Sequence, residues 1–218
     1  MADARLIRLL TWLSPAFPTG GFAYSQGLEW AVEAGDVTSA ASLAAWLADV
    51  LAHGGARSEA ILLRHAHAAH DDAARLEELT ELAAALAPAR ERAMESMAQG
   101  VAFVAAAAAW WPKRACVPAE LAYPVAVGAL AGAHAIEVED AAAAYLHAVM
   151  ANLVSAAVRL VPLGQSAGLG VLAALEAPIL GCARGTRGAG LDEIGGACFR
   201  ADIAAMRHET QYTRLFRS

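Results

Sequence analysis

Apolar residues recur along this chain with the period of a helix. Leu43, Trp46, Leu47, Val50 and Leu51 fall at i, i+3, i+4, i+7 and i+8, one face of a single element. Leu76, Leu79, Leu82, Ala83 and Leu86 repeat the pattern, and Met94, Met97, Val101 and Val104 give a third stripe. A longer one runs through Ala142, Tyr145, Leu146, Val149, Leu153, Ala156 and Ala157. No run of alternating β-branched residues argues for a sheet. The punctuation agrees. Gly35 follows a helical pattern from Gln26 to Ala34 and suits an αL cap. Gly54 and Gly55 end the next element. Pro88 and Pro118 stand where first-turn prolines are tolerated, because that N–H lacks a helical partner anyway. Trp111-Pro112 closes an apolar segment, and Pro162 interrupts a helix that begins near Val138. Gly181, Gly185, Gly188, Gly190, Gly195 and Gly196 crowd one stretch. It reads as a flexible loop, 180–197, between the helical body and a C-terminal segment, 198–218. The expectation is an all-α, single compact domain over 1–218, with roughly eight to ten helices.

Composition sharpens this picture. Hydrophobic residues make up 58% of the chain and charged residues only 17%. Much of the excess is alanine, which favours helix and lets helices pack closely. So little charge implies that part of the surface is covered by a partner or by another copy. The net charge of −6 argues against nonspecific nucleic-acid binding, which needs a basic patch. Charge is uneven, however: Arg207, Arg214 and Arg217 stand near the end against Glu209 alone. The apolar runs Val101–Trp111 and Leu121–Ile136 read as core helices, since a bilayer span needs ~20 apolar residues. Cys116, Cys182 and Cys198 are far apart and form no C-x-x-C pair. With no recognisable signal peptide, they fit a reducing, cytoplasmic compartment.

Candidate chemistry is sparse. His65, His67 and His70 form H-x-H-x-x-H. On a helix, His67 and His70 share a face while His65 points away, so a solvated helix end and a weak metal site both fit. There is no H-E-x-x-H, no G-x-S-x-G and no P-loop. Gly164–Gly170 is glycine-bearing but has no lysine, and reads as a helix junction after Pro162. Arg207-His208-Glu209 has the residue types of an acid–base cluster but sits after a glycine-rich loop, where rigid positioning is hard to achieve. Arg207, Tyr212, Arg214, Phe216 and Arg217 are instead the types that carry binding hot spots. A core-packed terminal segment is the other reading of Tyr212, Leu215 and Phe216.

Three blocks resemble the UreF family of urease accessory proteins. Ser14–Glu29, SPAFPTGGFAYSQGLE, is similar to that family's SPxLPxGxFxYSxGLE, with Phe17 for Leu and Gly21 for Ala. Asn152–Gln165, NLVSAAVRLVPLGQ, resembles its helix ending in RLxPLGQ. Ser166-Ala167-Gly168 stands where Thr-Asp-Gly is usual. Asp202–Ser218, DIAAMRHETQYTRLFRS, resembles its closing MRHExQxxRLFxS, and Arg90–Gly100 gives a weaker match. The resemblance implies an all-α, dimer-forming scaffold without catalytic turnover or cofactor. It would bind UreD (also called UreH), recruit the GTPase UreG to apo-urease, and help load nickel. Partner contacts are then expected at Tyr24, Gln26, Glu29, Arg159, Gln165, Arg207, His208, Glu209, Tyr212 and Arg214. Tyr24, Gln26 and Glu29 equally suit bracing of a helix start, and Glu29 is a conceivable partner for Arg159. The competing expectation is a direct nickel-carrying metallochaperone using His65, His67, His70 or cysteine ligands. A tail tethered by a glycine loop would order on binding.

Overall fold

The computed structural model describes residues 3–112 and 117–218. Cys116 lies outside the described residues. In chain order the helices are α1 (Ala4–Trp12), α2 (Leu28–Glu33), α3 (Ala40–His53), α4 (Gly55–Ala68), α5 (Ala73–Ala85) and α6 (Arg90–Ala106). They continue with α7 (Tyr123–Ala133), α8 (Val138–Leu160), α9 (Gly164–Ala174), α10 (Glu176–Gly185) and α11 (Phe199–His208). The described residues contain no strand. α9 and α10 meet at Leu175, which ends one and opens the other, so they read as a single bent helix.

Local chemistry sets several starts. Asp3 accepts from the Arg5 N–H at 3.0 Å and opens α1. Ser39 and Ser42 cap α3 reciprocally. Asp72 accepts from the Arg75 N–H at 3.1 Å to start α5. Pro124 does lie in a first turn, that of α7. Pro88 and Pro118 both lie before the helices that follow them, because Ala89 caps α6 and Ala122 caps α7.

α7 is buried on every side from Pro124 to Gly132, and α8 lies against it along a buried stripe that includes every apolar position expected from its periodicity. α4 packs along α7 at very close range: a Cβ on Gly128 would come within 2.2 Å of the Leu63 carbonyl oxygen. Only glycine permits that approach. Val138–Leu160 and Gly164–Gly185 match a membrane span in length and hydropathy. In this fold the first is a core helix and the second is broken at Leu175.

Two expectations need correction. On α6, Met94 is 58% exposed and Val101 40% exposed. The inward face instead carries Glu95, Gln99, Gly100 and Phe103. The helix has turned a polar edge inward because other buried polar groups wait there. In the glycine-rich stretch, Gly181–Gly185 complete α10, so the irregular connection is shorter than 180–197. That connection is pinned: Arg57 donates to the Glu193 carbonyl at 2.8 Å, and the Ala197 N–H donates to the His53 carbonyl at 2.8 Å.

Candidate functional site: a composite face closed by the C-terminal segment

The segments that carry the sequence resemblance are scattered over the chain, and the fold brings them together. The first block enters α2 through two successive left-handed residues, Gln26 at φ 58° and Gly27 at φ 79°. Gly27 also lies under α11: a Cβ there would come within 2.5 Å of the Ala205 nitrogen. This turn aims Glu29 inward. Glu29 Oε1 accepts from the Leu215 N–H at 2.7 Å. Its Oε2 accepts from the Phe216 N–H at 3.0 Å and faces His208 Nε2 at 3.2 Å. The other His208 ring nitrogen faces Glu91 Oε2 at 2.6 Å, and Glu91 Oε1 accepts from Arg214 at 2.6 Å. Gln211 donates to Glu33 at 2.5 Å. Glu209 accepts from the Glu91 N–H at 3.3 Å, at the start of α6.

Further along, the Ser25 N–H and hydroxyl both donate to the Ser218 carbonyl oxygen, at 2.8 and 2.5 Å. The Ser218 hydroxyl donates to Glu95 at 2.6 Å. Glu95 also accepts from Gln26 at 3.2 Å, from Gln99 at 2.9 Å and from Arg92. Arg92 reaches Glu59 at 2.9 Å, and Tyr145 donates its hydroxyl to Glu59 at 3.0 Å. Tyr145 ends an aromatic series that runs through Tyr123 and Phe103 to Phe17. From α8, Asn152 donates to the Gly21 carbonyl at 2.9 Å. Arg159 donates to the Phe22 carbonyl at 2.8 Å, with its guanidinium 4.3 Å from the centroid of the Phe216 ring.

Electrostatics follow from burial. Two carboxylates, Glu59 and Glu95, share the single cation Arg92. Burial pushes the Glu59 carboxyl above its ordinary range, and Arg92 offsets this only in part. Burial also works against the Arg92 charge, but Glu95 and Glu59 together outweigh it and the net shift is upward. The Tyr145 hydroxyl is raised by burial and by the adjacent Glu59, so it serves as a donor. A cavity of about 240 Å³ lies beside this network, bounded by Phe17, Gln26, Glu95, Tyr145 and Asn152.

The expected site residues thus separate by burial. Tyr24, Glu29 and His208 are buried, His208 completely, so their side chains lie beneath the face. Glu29 already takes three contacts from the C-terminal segment. The Glu29–Arg159 pair is not formed, because Arg159 is taken by the Phe22 carbonyl and the Phe216 ring. Gln26 is half-buried and holds Glu95. Arg159, Arg207, Glu209, Tyr212 and Arg214 are exposed, Tyr212 fully. Gln165 is exposed in the first turn of α9 and takes no part in this bonding. The C-terminal segment lies packed against α2 and α6 through these bonds. Sequence reading missed Glu59, Arg92, Tyr145 and Ser25. It also missed the signal for α6: Glu91, Glu95 and Gln99 at i, i+4 and i+8 form one polar stripe.

The histidine run makes no metal site of its own. His65 bonds the Ala189 carbonyl at 3.0 Å, His67 the Ile136 carbonyl at 2.8 Å, and His70 the His67 carbonyl at 3.1 Å. Among the described residues no three His, Cys, Asp or Glu side chains converge as metal ligands. Burial pushes the Cys182 thiol up to about 11, away from the thiolate that would bind a metal.

Fold and site together define an all-helical protein organised around a composite outer face, with buried charge used to hold that face in shape. A family model for UreF matches residues 37–176. The chain is 53% identical to a urease accessory protein UreF of Bradyrhizobium sp. (strain BTAi1 / ATCC BAA-1182), over 98% of this chain and 92% of that protein. It is 52% identical to one from Methylobacterium sp. (strain 4-46), over 96% and 87%. For one from Rhodopseudomonas palustris (strain BisB5) the identity is 51%, over 99% and 92%. The chain belongs to the UreF family of urease accessory proteins.

Proposed function

We propose that this chain is a non-catalytic, cytoplasmic scaffold for nickel insertion into urease. It binds UreD (UreH), recruits the GTPase UreG to apo-urease, modulates that GTPase, and works as a homodimer. The observation that carries the reading is the convergence of the first, middle and closing blocks on one face. Residues distant in the chain, Glu29, Arg159 and His208–Ser218, are assembled by buried bonds. That expenditure of buried polar groups fixes the shape of a surface and positions no reactive group. Above the brace stand Arg207, Tyr212 and Leu215, and beside them the apolar stripe Phe199, Ile203 and Met206 of α11, all exposed. An aromatic and an arginine over an apolar patch are the usual anchors of a protein interface.

The test uses substitutions that leave the brace intact. The Arg207→Ala/Tyr212→Ala double variant should keep the wild-type melting temperature but fail to co-purify with UreD and UreG, and the urease made with it should contain little nickel. Normal complex formation and full nickel loading by that variant would defeat the proposal.

A further inference from the structure

The cavity of about 240 Å³ beside the buried network has a wall short of positive charge. Its charged lining is Glu59, Glu95 and Arg92, with His147 also present. Arg92 is shared, one guanidinium nitrogen meeting Glu59 and the other Glu95, so two carboxylates face one cation. Unmatched charge is costly away from water, and burial accordingly raises the Glu59 carboxyl. The same cavity gathers oxygens that accept no hydrogen bond. Gln99, only 7% exposed, gives its amide N–H to Glu95. Asn152 gives its own to the Gly21 and Tyr24 carbonyls. Gln99 Oε1 and Asn152 Oδ1 are thereby fixed as acceptors, and neither receives a donor from the described residues. Both approach one point. A Cβ on Gly21 would have as its nearest neighbours Gln99 Oε1 at 3.5 Å, Thr19 Oγ1 at 3.7 Å and Asn152 Oδ1 at 3.8 Å. Gly21 stands where the resembling block usually has alanine, so this chain keeps the space of a methyl group among three oxygens. The Tyr123 hydroxyl lines the cavity too, and burial beside Glu59 keeps it neutral.

We propose that this cavity binds a monovalent cation of the potassium and ammonium class, held by Gln99, Asn152 and Thr19. The charge count selects the valence. The wall lacks one positive charge, which a monovalent ion cancels and a divalent ion overshoots. The donor set selects the class. Neutral carbonyl and hydroxyl oxygens are the groups that replace the hydration shell of a large, weakly hydrated cation. Nickel is better served by imidazole or thiolate, and His147 stands there without a second nitrogen or sulfur ligand. The ion acts on the C-terminal segment through two bonds. Gln99 holds Glu95 at 2.9 Å, and Glu95 accepts from the Ser218 hydroxyl at 2.6 Å. Filling the site therefore steadies the acceptor that anchors the last residue. This role is independent of which proteins the outer face binds.

The experiment is thermal unfolding of the full chain in choline chloride, replaced stepwise at constant ionic strength by potassium or ammonium chloride. Either ion should raise the melting temperature saturably, and the larger response names the ion. At ten times its Kd the ion lowers the unfolding equilibrium constant about elevenfold. Gly21→Ala places a methyl group among the three oxygens. Gly21 is not at positive φ and the new contacts are at ordinary van der Waals distance, so the variant folds. It should match wild type in choline and lose the response to both ions. Glu59→Gln removes the charge deficit while keeping an acceptor for Tyr145, and should weaken the apparent affinity about tenfold. Identical wild-type melting curves in choline, potassium and ammonium overturn the proposal and leave Glu59 to be balanced by a proton. A response that survives unchanged in both variants puts the ion elsewhere and also overturns it. Stabilisation by nickel chloride instead of potassium or ammonium, erased by Gly21→Ala, makes the site divalent and overturns it as well.

Discussion

Glu29 shows how much one residue can hold. Its carboxylate accepts two main-chain N–H groups from the C-terminal segment and faces a fully buried histidine. Leaving buried donors without an acceptor costs about 1–3 kcal/mol each, far more than a satisfied bond contributes. Glu29→Ala should therefore destabilise the chain by about 3 kcal/mol and lower its melting temperature by roughly 6–12 °C. Glu29→Gln, which keeps one acceptor oxygen, should lose less. Differential scanning calorimetry of the pair distinguishes bracing from partner contact, since a pure contact residue would leave both melting temperatures unchanged. The contrast with Tyr212 is instructive. Both lie in blocks that resemble the family, yet one is buried and the other is fully exposed.

At the scale of an element, α6 and the C-terminal segment form a unit. α6 presents Glu91, Arg92, Glu95 and Gln99 to the interior, and the segment answers with His208, Arg214 and Ser218. Removing one member of a buried ion pair is strongly destabilising, because the remaining charge is left without compensation. Arg92→Met should cost about 3–5 kcal/mol by urea denaturation, since it strands both Glu59 and Glu95. Adding Glu59→Gln should recover part of that loss by removing one of the two charges while keeping an acceptor for Tyr145. If the double variant is the less stable, the network is not organised around a shared cation. The helical stripe of α8 was legible in the sequence because its buried side is uniformly apolar. The inward face of α6 was not, because its interior partners are polar and come from other parts of the chain.

Over the whole molecule, two carboxylates give opposite pH signatures. Hydrogen bonds from Arg64, joined by Arg187, hold Glu139 at about 2, well below its ordinary 4.5, and tie α8 to α4 and the end of α10. A lowered carboxylate contributes stability fully present above its unfolded value and lost as pH falls from about 4.5 toward about 2. The stability gap between wild type and Glu139→Gln should therefore close over that window in chemical-denaturation series. Glu59 is raised by burial, so its charge opposes folding at high pH and the penalty eases as pH falls through its folded value. The Glu59→Gln variant should accordingly show the reverse trend. What the sequence by itself determined was the helical class, most element positions and the family resemblance, because periodicity, caps and ordered motifs are local properties. Tertiary structure alone decided which motif residues support the face and which are displayed on it. Glu29 and His208 stand 179 positions apart, and only packing puts their side chains within hydrogen-bond reach. A local pattern records that a residue is polar; whether its partner is water or a distant stretch of the same chain depends on how the helices close around it.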